Sequence, residues 1–150
     1  MHAVKLKVAW IGKTKEPAIR ALTDEYLKRI GRYTDVEGLA LADEAALLRL
    51  TERNGARPAH ALVLFDARGK QLSSEEFAQF LRNHQERNPQ PLVLAIGPAD
   101  GFSEQARKAG TAVLSFGKMT LAHELARIVL LEQVYRAFTI LQGHPYHSGH

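Results

Sequence analysis

The sequence predicts an α/β fold, a mainly parallel sheet with helices on both faces, and three observations lead to that class. Two continuous apolar runs, HALVLFD (60–66) and PLVLAIG (91–97), have the pattern of strands buried on both sides. Segments of helical periodicity separate them. Candidate strands and helices then alternate along the whole chain, the order that builds parallel sheets through crossover helices.

The first element is VKLKVAWIG, where Val4, Leu6, Val8 and Trp10 recur with the two-residue period of a strand. Pro17 suits the first turn of a helix whose apolar positions are Ile19, Leu22, Tyr26, Leu27 and Ile30, and Gly31 stops it. Residues 34–42 form a weaker strand candidate. Asp43 caps a second helix, DEAALLRLTERNG, expected to run to Gly55. After HALVLFD, the turn ARGK leads into SSEEFAQFLRNHQERN, a helix capped by Ser73 or Ser74. PLVLAIG follows, then the short helix FSEQARKAG capped by Ser103, the strand TAVLSF, and a long last helix from TLAHE to Gly143. That helix carries apolar residues around much of its circumference, among them Leu121, Leu125, Val129, Val134 and Leu141, as expected for one buried on several sides, either between the sheet and a second subunit or at the centre of a monomer.

With 150 residues, 45% of them hydrophobic, the chain is long enough for one domain with a substantial core, spanning 1–150. It has no cysteine, which excludes disulfides, thiolate nucleophiles and cysteine metal sites. No apolar run approaches the ~20 residues of a membrane span, so a cytoplasmic protein with no membrane partner is expected. The net charge is +4, with small basic clusters at Lys13/Lys15, Lys28/Arg29/Arg32, Arg68/Lys70 and Arg107/Lys108. This permits a nucleic-acid partner and equally fits a solvated basic surface.

Ligands of parallel α/β sheets bind outside the carboxyl ends of the strands. Here those ends read LFDARGK, AIGPADGF and LSFGKMTLAHE. Gly97 and Gly101 flank Pro98 without forming a GxGxxG or phosphate-loop motif, and a plain turn accounts for them as well as a ligand does. In SFGKMT the backbone amides can face a nucleobase or amino acid, Thr120 is also a candidate helix cap, and Met119 is either core filler or a contact for an adenine face. The ending GHPYHSGH places His144, His147 and His150 three residues apart, but Pro145 and Gly149 oppose the helix that would align them on a metal.

Together, SFGKMTLAHE, LLEQVYRAF and HPYH resemble the small ribosomal RNA large-subunit methyltransferases of the H type, enzymes of the SPOUT class. The opening VAWIGKTKEPAIRALTDEYLKRIGRY and the middle LFDARGKQLSSEEFA extend the resemblance over the whole chain. It implies a trefoil knot within about 95–143, a homodimer, and S-adenosylmethionine as methyl donor for N3 of a pseudouridine in 23S rRNA, in the large subunit or whole ribosome. It implies a cofactor pocket of Phe65, Gly97, Phe116, Gly117, Lys118, Met119, Thr120 and Leu121, and no metal. Two positions depart from the family pattern: Pro98 replaces a second glycine, removing an amide donor, and Ala122 replaces a proline before the helix.

The resemblance points to Tyr146 and His147 as residues closing over the base, with His147 as base or relay for the N3 proton. Arg136 is expected to reach a phosphate or a partner-subunit carboxylate. A neutral, structural role is expected for His123, because positive charge is disfavoured at a helix N-terminus. The alternatives are a SPOUT enzyme for another rRNA or tRNA base, and a noncatalytic nucleotide-binding module.

Overall fold

In the computed structural model, which describes residues 6–98, 100–144 and 146, five parallel strands form one sheet in the order β2-β1-β4-β3-β5. The elements are β1 (Leu6–Ile11), α1 (Pro17–Ile30), β2 (Val36–Leu41), α2 (Glu44–Arg49), β3 (Ala61–Gln71), α3 (Ser74–Arg87), β4 (Leu92–Ile96), α4 (Glu104–Ala109), β5 (Ala112–Ser115) and α5 (His123–Gln142). Both faces are covered, as expected of a parallel sheet. Val8, Val63 and Leu94 point to the side of α1, α3 and α5, meeting Ile30, Leu81 and Leu130. Their neighbours in sequence, Ala9, Leu62, Leu64 and Val93, pack on the other side against Leu47 of α2 and Ala106 of α4. The two-residue period of each strand therefore feeds two cores at once, which is why β3 and β4 read as unbroken apolar runs.

Local chemistry sets the helix ends. Asp43 and Ser103 accept from the amides of Ala46 and Ala106, and Ser73 forms a complete capping box with Glu76. Gly143 ends α5 in a left-handed conformation at φ 71°. Two helices are shorter than expected. α2 stops at Arg49 instead of Gly55, because the Thr51 hydroxyl bonds back to the Leu48 carbonyl at 2.6 Å and Arg57 Nη2 takes the carbonyls of Arg49 and Glu52, both at 3.0 Å. α5 begins at His123 with Ala122 at its cap position, so Thr120 is not the cap.

β3 also departs from expectation. In place of a strand ending near Asp66 and a simple turn, it resumes after a four-residue excursion: Phe65 and Lys70 both pair with Leu114 of β5. The backbone of the excursion crosses that of Leu114 so closely that a β-carbon on Gly69 would lie 2.5 Å from the Leu114 carbonyl atoms. Only glycine fits there. The looped-out residues are thereby aimed over the carboxyl ends of β3, β4 and β5.

Candidate methyl-donor site at the strand ends

A cavity of about 320 Å³ opens at these three strand ends. Of the eight residues expected to hold a cofactor, Phe65, Gly97, Phe116, Gly117, Met119, Thr120 and Leu121 line it. Lys118 does not line it; its side chain is exposed on the outside of the loop. The rings of Phe65 and Phe116 stack at 4.9 Å with an interplanar angle of 15°, forming one aromatic wall. Gly97 packs against Phe102, whose ring would stand 2.9 Å from an added β-carbon. The Ser115 hydroxyl donates to the Gly117 carbonyl at 2.9 Å and accepts from its amide at 3.0 Å, so the loop after β5 is fastened at its start. Met119, 86% exposed, and Leu121, 43% exposed, are apolar groups at the mouth rather than core filler.

The excursion after β3 adds residues that the strand-end argument located without assigning. Asp66 accepts from Arg68 twice through its side chain, at 3.1 and 3.0 Å, and from the amides of Arg68 at 2.9 Å and Phe102 at 3.3 Å. The Arg68 guanidinium, with those amides, holds the Asp66 carboxyl down at about 2. Arg68 also donates to the Phe102 carbonyl at 3.1 Å, so the pair clasps the loop between β4 and α4 to the cavity rim. Pro98 lines the cavity, and its carbonyl accepts from Gly101 at 2.9 Å. The ring supplies wall where a glycine would supply an amide donor. His123 lines the cavity as well, and both of its ring nitrogens are buried without a hydrogen-bond partner among the described residues.

Tyr146 and Arg136 meet elsewhere. Tyr146 donates to Glu132 Oε2 at 2.6 Å, and Arg136 pairs with the same oxygen at 2.8 Å while its guanidinium lies 5.0 Å from the Tyr146 ring centre. Burial, then the bond to Glu132, pushes the Tyr146 phenol up to about 12. Glu132, which organises the cluster, lies in the LLEQVYRAF stretch but was not singled out there; its spacing of four from Arg136 on one helix face is the clue that was available. At 1.5 Å per residue, Arg136 lies ~15 Å further along α5 than Ala126, the last helix residue lining the cavity. The two groups of residues thus do not meet within one protomer. His147 lies outside the described residues, as does His150. Among the described residues no group of three His, Asp or Glu side chains is placed to hold a metal, and no helix is long and apolar enough to cross a membrane.

Comparison with known proteins bears on this arrangement directly. A family model described as "Predicted SPOUT methyltransferase" matches residues 4–147. The ribosomal RNA large subunit methyltransferase H of Koribacter versatilis is 60% identical over 98% of this chain and all of its own length. The protein of that name from Geotalea daltonii is 45% identical over 96% of this chain and 99% of its own. Among solved structures, the SpoU methyltransferase AviRb of Streptomyces viridochromogenes, in complex with AdoMet, shares the fold at a TM-score of 0.53 and 13% identity, over 91% of this chain and 59% of its own. The chain belongs to the SPOUT methyltransferase family, alongside the large-subunit ribosomal RNA methyltransferases H.

Proposed function

We propose that the protein transfers a methyl group from S-adenosylmethionine to N3 of a pseudouridine in 23S rRNA, on the large subunit or the whole ribosome, as a cytoplasmic homodimer. The observation that carries this reading is the convergence of the three strand ends, LFDARGK, AIGPADGF and LSFGKMTLAHE, on one cavity. The residues fit the cofactor: a stacked aromatic wall and the exposed Met119 and Leu121 suit its adenosine, and the carboxylate of Asp100 on the same wall suits a cation. When bound, the sulfonium supplies an electrophilic methyl carbon. The chain's own task is to hold the acceptor nitrogen in line behind that carbon and exclude water.

Within this reading Phe65, Gly97 and Phe116 through Leu121 form the donor pocket, with Lys118 supplying backbone only. The homodimer is supported by the separation of the Tyr146–Glu132–Arg136 cluster from the cavity along α5, since a second protomer can bring its tail, with His147, over the first protomer's donor pocket. Exposed Leu121 and Leu125 at the start of α5 give such a partner apolar surface. A phenol held near 12 stays protonated at neutral pH. Tyr146 therefore serves as a hydrogen-bond donor over the base, Arg136 as a phosphate contact, and proton acceptance falls to a histidine. A trefoil knot within about 95–143 belongs to the same reading, supported by β5 pairing on both sides of an excursion that crosses its backbone.

The test is transfer of tritiated methyl groups to ribosomes from a strain lacking this gene, followed by nucleoside analysis. Label in 3-methylpseudouridine is expected. Label in another nucleoside moves the protein to a different target within the family, and nucleotide binding without any transfer identifies a binding module instead.

A further inference from the structure

A second depression, about 820 Å³ and broadly open, lies beside the donor cavity where β1 ends. Its walls come from the loop between β1 and α1, including Lys13 and Lys15, and from Ala122 through Leu125 at the start of α5. That loop is fixed from several directions. Glu124 Oε1 accepts from the amides of Lys15 at 3.0 Å and Glu16 at 3.3 Å, and Arg20 donates to the Thr14 carbonyl at 3.3 Å. Arg127, wholly buried, donates to the Thr14 hydroxyl while its guanidinium lies 4.2 Å from the centre of the Trp10 ring. Lys13 and Lys15 thus stand exposed on an anchored loop, and neither has an ion-pair partner among the described residues.

His123 lines both cavities. A neutral imidazole carries one donor and one acceptor, and burying both unpaired is unfavourable. Its nitrogens have no partner among the described residues, and Gly12 packs beside the ring, where an added β-carbon would stand 3.5 Å from Nε2. The two nitrogens point to different sides of the ring, so a group arriving from the lysine side completes one of them, and an N–H donor suits the unprotonated nitrogen. The N3–H of a uracil-type base is such a donor, and its nucleotide phosphate has the charge that the lysines complement.

We infer that this depression holds the acceptor nucleotide, with phosphate on Lys13 and Lys15 and N3–H toward one nitrogen of His123, which accepts the N3 proton. The inference rests on the methyl transfer proposed above and assigns its acceptor side. In the step, the N3–C bond forms as the donor's C–S bond breaks with its electron pair left on sulfur. The electron pair of the N3–H bond stays on nitrogen, and the proton passes to an unprotonated His123 nitrogen and then to water.

The experiment compares wild type with His123→Asn, His123→Gln and the double variant Lys13→Ala/Lys15→Ala on ribosomes from a strain lacking this gene. Each variant is also measured for S-adenosylmethionine affinity by calorimetry, for ribosome affinity against salt without cofactor, and for oligomeric state by light scattering. Both His123 variants should lose at least ~10-fold in kcat with KM and cofactor Kd within about twofold of wild type. The lysine variant should bind ribosomes ~10-fold more weakly and lower the slope of log Kd against log salt by about two, with kcat and cofactor affinity retained. Wild-type turnover in both folded His123 variants overturns the proton-accepting role. An unchanged salt slope, or dissociation of the lysine variant into smaller species, overturns the nucleotide site and assigns the groove to subunit contact. Absence of transfer by the wild type itself would instead sink the proposed function.

Discussion

The two ends of α5 hold polar clusters of opposite character. At the tail end, Glu132, Arg136 and Tyr146 satisfy one another within 2.6–2.8 Å, and Tyr33 and His144 bond beside them. At the first turn, both nitrogens of His123, Nε and Nη2 of Arg127, and the indole N–H of Trp10 are buried without partners among the described residues. Native interiors leave few such atoms unpaired. The satisfied end is built to keep its shape. At the other end, the acceptor nucleotide inferred above completes one nitrogen of His123.

The largest effect that probes this contrast belongs to Arg127. Arg127→Ala removes the stack on Trp10, the bond to Thr14 and the volume that fills the space between α5 and β1. A loss of ~2–5 kcal/mol in urea denaturation is expected, the range for emptying a well-packed site. Arg127→Met refills that volume without charge and should recover most of the stability, because replacing a poorly paired buried charge by packed apolar atoms costs little. Methyl transfer should remain low in Arg127→Met, since the Lys13–Lys15 loop loses its anchor. Full recovery of turnover would reduce Arg127 to a filler and break the contrast.

Within the donor end, Asp66 is the exception, a satisfied group among unsatisfied ones. Its carboxyl is held at about 2 against an ordinary 3.8, so the stabilisation is fully present above pH 3.8 and lost as pH falls through 2. With its side chain 3% exposed but Arg68 57% exposed, ~1–2 kcal/mol is expected after allowing for screening. Asp66→Asn should lower stability at neutral pH by that amount and flatten the acid limb of the stability curve between pH 4 and 2. An acid limb identical to wild type would show that the clasp on Phe102 is not held by charge.

The legibility of these regions follows from how local their causes are. β3, β4 and the caps at Asp43, Ser73 and Ser103 were readable because strand burial and capping act within a few residues. The cavity was readable at three strand ends because parallel topology gathers those ends on one edge. What sequence reasoning missed depends on groups far apart in the chain. The end of α2 is set by Arg57 reaching back to Arg49, and the excursion of β3 is set by Gly69 crossing Leu114. The surroundings of His123 are likewise made by the loop after β1, more than a hundred residues earlier, which its neighbours in sequence do not announce.

The smallest effect tests the satisfied end. Tyr146 gives its hydroxyl to Glu132, and burial together with that bond raises the phenol from 10.0 to about 12. A raised acid favours the protonated form, so its stabilisation is present below pH 10 and fades as pH rises through 12. Tyr146→Phe keeps the ring against Tyr135 and Arg136 and removes only the hydroxyl, so a loss of ~1 kcal/mol at neutral pH is expected for one half-exposed bond to a carboxylate. The alkaline decline of the wild type between pH 10 and 12 should be shallower in the variant, followed by circular dichroism at fixed urea. If Tyr146→Phe also leaves methyl transfer untouched, the hydroxyl serves only to hold the tail, and the difference between the two ends of α5 becomes sharper: one end structural, the other chemical. A drop in kcat larger than the stability loss explains would show instead that the satisfied cluster opens during turnover and gives its hydroxyl to the base.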